Sequence, residues 1–239
     1  VQLAEEIHLS GRPVTLAVGS HVRLPRNYRG KDIMQWLDAS GLLGEQRDPT
    51  IPPERVLRQP SLQVVGGVPA RDIGLESLAR LGVRLTGRVD CGQGTQLGLR
   101  DELASEITRA EARGNRLLDR IDDHIEGRSV STASAERLTA LDLKPCARDQ
   151  LDLAAAGIRT IVWATGFRRD YPWLCVPVLG SDGEIRQQGG VTPAPGLYTL
   201  GLPFMRRRNS TFIDGVGADA RDLSFHIATF LGGTWAWAA

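Results

Sequence analysis

The sequence has few cysteines, few aromatic residues and almost no net charge. Its three cysteines, Cys91, Cys146 and Cys175, are scattered, and none belongs to a C-x-x-C pair. This odd, scattered set argues against a disulfide framework, so a reducing, cytoplasmic setting is expected. Aromatic residues make up 5% of the chain and the formal net charge is +1. No stacking platform or basic surface for nucleic acid is therefore predicted.

Long apolar runs are missing as well. The apolar end of the chain, residues 225–239, is interrupted by Gly232 and Gly233. It is shorter than the roughly 20 apolar residues of a membrane span, so no integral membrane segment is expected. The first residues show no charged and then apolar pattern with a cleavage site, so no signal peptide is expected. The remaining composition, 41% hydrophobic and 24% charged, is that of a globular protein.

Several catalytic motifs are absent. The sequence contains no G-x-S-x-G, H-E-x-x-H, P-loop or G-x-G-x-x-G pattern. The four histidines, at positions 8, 21, 124 and 226, accompany no nucleophile motif and have no metal-ligand spacing. No catalytic residue and no metal site are therefore assigned from the sequence.

What is present is an apolar run, residues 158–163, that ends in Ala164, Thr165 and Gly166. Its β-branched residues and lack of polar alternation predict a strand buried on both faces of a parallel sheet. Small residues at a strand end let a ligand approach the backbone, and open α/β sheets bind ligands at the carboxyl ends of their strands. A core strand followed by an ordinary turn is the alternative interpretation.

A second stretch, residues 192–201, has two prolines before a predicted short strand, Leu197 to Leu200, which ends at Gly201. Together with the Ala-Thr-Gly segment, it resembles the C-terminal part of flavin-dependent monooxygenases. These enzymes belong to the flavoproteins that have two dinucleotide-binding domains. In this resemblance Ala-Thr-Gly lies between the NADPH and FAD domains, and residues 192–201 form the second FAD-contacting strand.

The resemblance implies an α/β fold: a Rossmann-like parallel sheet joined to the C-terminal part of an FAD domain, with small β-hairpins. Residues 1–150 are then a partial NADPH-binding domain with insertions, 151–231 belong to the FAD-binding domain, and 232–239 are an irregular tail. The wider class often has aspartate at the position of Leu202. The leucine found here resembles the monooxygenase-like members instead. The FAD-contacting residues implied in this way are Ala164, Thr165, Gly166, Gly201, Leu202 and Asp214, the last at the start of the final helix.

The first residues have the pattern of the second half of a βαβ unit: a helix, Gly11, and a strand from Val14 to Val18. The phosphate-binding glycine loop of such a unit would precede Val1, so the chain is interpreted as a fragment. No acidic residue lies between Val14 and Lys31. Arginine at the end of the second strand suits the 2′-phosphate of NADPH, so Arg23 and Arg26 are predicted contacts, with a solvated basic loop as the alternative.

Between these regions, the sequence predicts a helix capped by Asp32, a helix over residues 75–81 closed by Gly82, and a hairpin from Leu85 to Leu99. The longest helix is predicted from Asp101 to Ile125. Its acidic residues at positions 119, 122 and 123 are interpreted as a solvated face. Arg206 to Arg208 are interpreted as a solvated basic loop, with phosphate or substrate contact as the alternative.

The chemistry that the resemblance implies is redox chemistry on a flavin. NADPH reduces FAD, and the reduced flavin reacts with oxygen to give a peroxyflavin that oxygenates a small organic substrate. A flavoprotein NAD(P)H reductase and a non-catalytic nucleotide-binding remnant are the alternative hypotheses. The sequence indicates neither the substrate nor the oligomeric state.

The chain on its own is expected to bind FAD weakly or not at all, because it contains no G-x-G-x-x-G loop for the FAD pyrophosphate. The measurement is the visible absorbance of the purified protein after gel filtration. Stoichiometric flavin in the protein peak would contradict this prediction.

Overall fold

The structure, a computed structural model, describes residues 1–46, 48, 50, 61–63, 71–135, 137, 138, 141 and 150–232; for residues 61–63 the description covers the backbone. Two compact units can be distinguished: unit 1 comprises Val1–Ser40 and Pro60–Val162, and unit 2 comprises Gly41–Gln59 and Trp163–Ala239. The elements, in chain order, are α1 (Gln2–Leu9), β1 (Thr15–Ala17), β2 (His21–Arg23), β3 (Asn27–Tyr28), β4 (Lys31–Asp32), α2 (Ile33–Ala39), β5 (Ser61–Gln63), α3 (Leu75–Leu81), β6 (Arg84–Thr86), β7 (Val89–Gln93), β8 (Gln96–Leu99), α4 (Leu103–Gly127), β9 (Gln150–Asp152) and α5 (Val216–Phe230).

Unit 1 contains two parallel strand pairs. β1 pairs with β6, with Leu16 opposite Leu85, and β2 pairs with β5, with Val22 opposite Leu62. Parallel pairing requires long crossover connections, which is the connectivity of α/β folds. β7, β8 and β9 add an antiparallel three-stranded sheet. The predicted mixed α/β fold is therefore confirmed, and the structure is consistent with a Rossmann-like fragment.

The core of unit 1 forms where the β1–β6 pair meets α1, α3 and α4. Leu78 is fully buried, and Leu85 and Ile107 are nearly so. Such residues recur at spacings of three and four along the helices, so each helix presents one apolar face to the strands. The buried members of this cluster are Ala4, Val18, Leu75, Leu78, Val83, Leu85, Leu103 and Ile107.

Helix α1 buries an acidic residue. Leu3 and Ile7 share one face by their spacing, but Leu3 is 56% exposed while Glu5 is 4% exposed. The reason is an ion pair: the Arg71 guanidinium donates to both carboxylate oxygens of Glu5, at 2.8 and 2.6 Å. A bidentate, charge-assisted pair lets a carboxylate occupy a buried position, which hydrophobic periodicity does not anticipate.

The Glu5–Arg71 pair gives a pH-dependent contribution to stability. The hydrogen bond from Arg71 lowers the pKa of Glu5 below its ordinary value of 4.5. A carboxyl group with a lowered pKa in the folded state stabilises the fold at pH values above the unfolded pKa. This contribution is lost as pH falls through the folded pKa. We expect the stability difference between the wild type and Glu5→Gln, measured by urea denaturation, to be largest at neutral pH and to shrink below pH 4.5.

Glu6→Gln is the matched control, since Glu6 lies beside Glu5 on the same helix but is exposed. It should differ little from the wild type at any pH. A Glu5→Gln difference that stays constant through the acid range would contradict the assignment.

Helix ends follow the predicted local signals. The Asp32 carboxylate accepts a hydrogen bond from the Met34 N–H at 2.9 Å and caps α2. Gly82 ends α3 with a left-handed φ of 101°. The predicted hairpin is shifted, however. Leu85 lies in β6, which pairs with β1, and the hairpin consists of β7 and β8 joined at Gly94.

Helix α4 is continuous through Gly114. Glycine is required there because the helix approaches the β2 backbone: a Cβ on Gly114 would lie 2.0 Å from the carbonyl oxygen of Arg23. None of the described helices combines the length and apolar content that a membrane crossing requires.

The sequence predicted that the acidic residues on α4 form a solvated face. The structure shows that this face is not uniformly solvated. Asp122 is buried, and its carboxylate accepts hydrogen bonds from the Tyr28 hydroxyl at 2.9 Å and from Arg137 at 2.8 Å. Arg29 completes the cluster, with its Nε 2.8 Å from Asp122. Burial raises the pKa of Tyr28, and the hydrogen bond to Asp122 raises it further. The network ties the β3–β4 hairpin to α4.

Unit 2 has little regular structure before α5. A hairpin around Ser181-Asp182-Gly183 is closed by an antiparallel bridge between Leu179 and Ile185. The predicted strand from Leu197 to Leu200 is reduced to one bridge, between Tyr198 and Val191. The final helix is confirmed.

The predicted buried strand over residues 158–163 is wrong. The structure assigns no strand there, and Ile161, Val162 and Trp163 are 46%, 57% and 72% exposed. A strand exists through pairing with its neighbours, and among the described residues no other strand pairs with this segment.

Candidate functional site

A cavity of about 300 Å³ opens in unit 1 beside the end of β2 and the start of α3. Polar groups line one part of it, among them His21, Arg23, Arg26, Asp72, Glu76 and Ser77. Leu75 and Ile107 contribute apolar surface. A concave site with apolar walls and a few convergent polar groups is the usual form of a small-molecule site.

Both predicted NADPH-contacting arginines line this cavity, and both are ion-paired. Arg23 lies 3.1 Å from Glu111 and 4.0 Å from Glu76. Arg26 lies 2.5 Å from Asp32, and its backbone N–H donates to Asp72 at 2.5 Å. An incoming phosphate must therefore replace a carboxylate as the partner of a guanidinium group.

The Nε of Arg26 is buried and has no hydrogen-bond partner in the described part of the chain. A buried donor without a partner is costly. The cavity volume is at the low end for ligand sites. A cavity of this size holds a small ligand or one end of a larger one.

The Ala164-Thr165-Gly166 segment in unit 2 is irregular and fully accessible. All three residues are exposed. Gly166 has a φ of 85°, in the left-handed region that favours glycine, and no atom lies within 4 Å of where its Cβ would be. The backbone at this point is thus open to close approach by another group.

Gly201 has a similar local geometry, with a φ of 77° and open space at the position of a Cβ. Leu202 is half-buried. Within the described ranges, no hydrogen bond or bridge joins residues 164–166 to residues 201–202. Their shared role in holding a flavin therefore stays a prediction.

Asp214 is exposed and directly precedes Gly215, the N-cap of α5. The chain is tight here, because a Cβ on Gly215 would lie 2.1 Å from the carbonyl oxygen of Asn209. One turn further on, Asp219 is fully buried. Asp214 has the exposure that a flavin contact requires, and its role as such a contact stays a prediction.

The basic residues Arg206 to Arg208 make ion pairs and hydrogen bonds within unit 2. Their interpretation as a solvated loop is therefore wrong. Arg207 lies 2.5 Å from the buried Asp219 and 3.2 Å from Asp222 on α5. Arg208 lies 2.8 Å from Glu45. The Ser210 hydroxyl accepts hydrogen bonds from the N–H groups of the two residues that begin the run, at 3.2 and 3.0 Å. These contacts anchor the start of α5.

Sequence reasoning missed the acidic side of the cavity. Asp72 and Glu76 flank the start of α3, some 50 residues after Arg23 and Arg26. The sequence signal for them is limited to an acidic first turn in α3, which is common to many helices. Among the described residues, no group of three or more His, Cys, Asp or Glu side chains is placed to hold a metal ion.

Fold and cavity together define an α/β protein with a polar, arginine-containing site. Part of its sequence is similar to bacterial proteins that are named as oxidoreductases. An uncharacterized CzcO-like oxidoreductase of Geobacillus kaustophilus (strain HTA426) is 51% identical over 67 residues, which are 28% of this chain and 19% of that protein. An uncharacterized oxidoreductase CzcO of Bacillus subtilis (strain 168) is 41% identical over 70 residues, 29% of this chain and 20% of that protein.

The CzcO protein of Bacillus velezensis (strain DSM 23117 / BGSC 10A6 / LMG 26770 / FZB42) is 40% identical over 70 residues, again 29% of this chain and 20% of the relative. The matched part thus spans about a fifth of the length of these curated relatives. No model of a known protein family matches the chain. No solved structure matches it either.

Proposed function

We propose that this chain is part of an FAD- and NADPH-dependent oxidoreductase that oxygenates a small organic substrate. The observation that carries the proposal is the 40–51% identity to proteins named as oxidoreductases over 67–70 residues. The Ala164-Thr165-Gly166 and Thr192–Gly201 stretches support the flavin-dependent class. The cavity beside β2 supports a nucleotide-binding role for unit 1.

In this proposal the side chains around the cavity bind and orient the NADPH. The guanidinium groups of Arg26 and Arg23, which both line the cavity, bind the 2′-phosphate. The carboxylates of Asp72 and Glu76 then accept hydrogen bonds from ribose hydroxyl groups. Bound FAD would supply the redox chemistry, so the protein needs no acid–base dyad of its own.

In this proposal the flavin cofactor is contacted by accessible backbone groups rather than by side chains. Gly166 and Gly201 each leave the space in front of their backbone unoccupied. The N–H groups at the start of α5, next to Asp214, point along the helix axis and favour polar or anionic groups of a ligand. These positions would hold and orient the cofactor and exclude water from it.

The test is a comparison of NADPH and NADH binding by calorimetry. We expect NADPH to bind more tightly than NADH. We further expect Arg26→Gln to weaken NADPH binding about tenfold and to leave NADH binding unchanged, since a lost charge-assisted hydrogen bond costs about 1.5 kcal/mol or more. Far-UV circular dichroism checks that the variant retains its helices.

Arg12→Gln is the matched control, because Arg12 is an exposed arginine of the same unit that does not line the cavity. It should bind both nucleotides as the wild type does. Equal affinity for NADPH and NADH, or an Arg26→Gln variant that binds NADPH normally, would contradict the assignment of this cavity.

A further inference from the structure

Glu111 lies behind the wall of the cavity in unit 1 and holds two parts of that wall at once. It is a buried residue of α4 and does not itself line the cavity. Its Oε1 accepts one hydrogen bond from Nη1 of Arg23 at 3.1 Å and another from the backbone N–H of Leu141 at 3.0 Å. Both donors belong to residues that line the cavity. One buried carboxylate oxygen therefore connects the guanidinium side of the site with its apolar side.

The apolar side includes Leu138 and Leu141, which we call the leucine wall. Side chains on one face of α4 hold both residues. Asn115 accepts a hydrogen bond from the Leu138 N–H at 3.3 Å and donates one to the Leu138 carbonyl oxygen at 3.4 Å. Glu111 lies four residues before Asn115, so the two side chains are neighbours on the helix surface. The leucine wall is thus fastened to the helix by polar side chains that lie behind it.

The charge on Glu111 opposes the binding of an anion at Arg23. A guanidinium group that already faces a carboxylate at 3.1 Å attracts a second anion less strongly. Glu76 also lies 4.0 Å from Arg23, but 41% of its side chain is exposed, against 10% for Glu111. Solvent and salt screen a buried charge much less than an exposed one. Of these two carboxylates, Glu111 is therefore the stronger competitor of a ligand anion.

We propose that Glu111 is a positioning residue that restrains anion binding at Arg23 and links this binding to the leucine wall. A bound anion draws hydrogen bonds from Arg23 and leaves the shared Oε1 of Glu111 to the N–H of Leu141. The buried carboxylate then loses part of its counter-charge, which lowers the affinity for the anion. In return, the leucine wall is held more firmly against the ligand. The inference rests on the proposed function in taking this anion to be a phosphate group of a nucleotide.

The experiment is an NMR titration of the full chain with inorganic phosphate at constant ionic strength. Glu111→Gln keeps an oxygen that can accept from the Leu141 N–H but carries no charge. We expect this variant to bind phosphate about tenfold more tightly than the wild type, because a poorly screened negative charge near the anion is removed. A merely structural role of Glu111 would give the opposite sign, since damage to the site lowers its affinity.

Glu106→Gln is the matched control. Glu106 is a buried glutamate of the same helix, and its carboxylate lies 2.8 Å from Arg113, but neither of these residues lines the cavity. This variant should bind phosphate as the wild type does. Far-UV circular dichroism checks that both variants retain their helices.

Hydrogen exchange of the Leu141 amide tests the link to the leucine wall. In the wild type, saturating phosphate should slow the exchange of this amide. Glu111→Met offers no oxygen, so its Leu141 amide should exchange about tenfold faster than that of the wild type, as expected for a lost hydrogen bond. Phosphate should bind to Glu111→Met more tightly than to the wild type, and it should not slow this exchange.

The inference is overturned if Glu111→Gln binds phosphate no more tightly than the wild type, or if neither protein binds phosphate. It is also overturned if phosphate leaves the exchange of the Leu141 amide in the wild type unchanged. Titrations with NADPH and NADH separate this result from the proposed function. A wild type that prefers NADPH, together with a Glu111→Gln variant that gains no affinity for phosphate, supports the proposed function and contradicts the inference. A variant that gains affinity for phosphate while both nucleotides bind equally supports the inference and contradicts the NADPH assignment.

Discussion

Gly114→Ala is expected to destabilise unit 1 by at least about 2 kcal/mol, although alanine is the better helix former. The added Cβ would lie 2.0 Å from the carbonyl oxygen of Arg23 and 2.7 Å from the Leu138 side chain. The first of these atoms belongs to the backbone of β2 and cannot rotate away. Relief therefore requires the helix and the strand to move apart, with loss of packing along α4.

Thermal or urea denaturation of the variant checks this expectation, and a loss of several degrees in Tm corresponds to the stated free energy. Gly127→Ala is the matched control. It lies in the same helix, and its added Cβ would meet no atom within 4 Å. If Gly114→Ala is as stable as Gly127→Ala, the close approach of α4 to β2 is not as the structure describes it.

Arg207→Met is expected to destabilise unit 2 by about 3 kcal/mol, because it leaves a buried carboxylate without its counter-charge. Asp219 is fully buried, and Arg207 is 2.5 Å from its Oδ1. Its Oδ2 has no hydrogen-bond partner in the described part of the chain. The arginine side chain is 24% exposed, so the cost is placed at the low end of the range for buried pairs.

Arg169→Met serves as the control, since Arg169 and its partner Glu184 are each about one-third exposed. An exposed pair contributes less than about 1 kcal/mol. A second comparison removes the buried charge: Asp219→Asn in the Arg207→Met background should recover part of the lost stability. Equal losses in the free energy of unfolding for Arg207→Met and Arg169→Met would show that burial of Asp219 does not increase the cost of removing its arginine.

The ends of α2 and α3 that the sequence predicted could be found because their signals are local. Asp32 caps α2 through an N–H two residues away, and Gly82 ends α3 by its own backbone conformation. Neither contact depends on a distant part of the chain. The helix over residues 75–81 was accordingly predicted with its observed bounds.

The charged residues could not be placed in the same way. Asp122 was expected to be solvated, yet it is buried because Tyr28 and Arg29, more than 90 residues earlier, provide its partners. The basic run at residues 206–208 was expected to be solvated, yet Arg207 binds an aspartate on the next helix. Whether a charge is buried depends on which opposite charge the fold brings to it.

The candidate site shows the same division. The sequence indicated Arg23 and Arg26, and the structure places both on one cavity. It did not indicate Glu111 and Asp72, which contact these two arginines. The two glycine-containing segments of unit 2 were found by their motifs, while their proposed meeting over a flavin stays a prediction.

By itself, the sequence determined the bounds of α3, the cap of α2 and the small residues at positions 164–166 and 201, since each depends on neighbours a few residues away, and its resemblance to a family indicated the α/β class. Only the tertiary structure decided which charges are buried, why Gly114 must be glycine and that residues 158–163 lack a partner strand. The physical reason is that strand pairing and ion pairing each involve two segments. The local sequence of one segment does not indicate which distant segment the fold brings next to it.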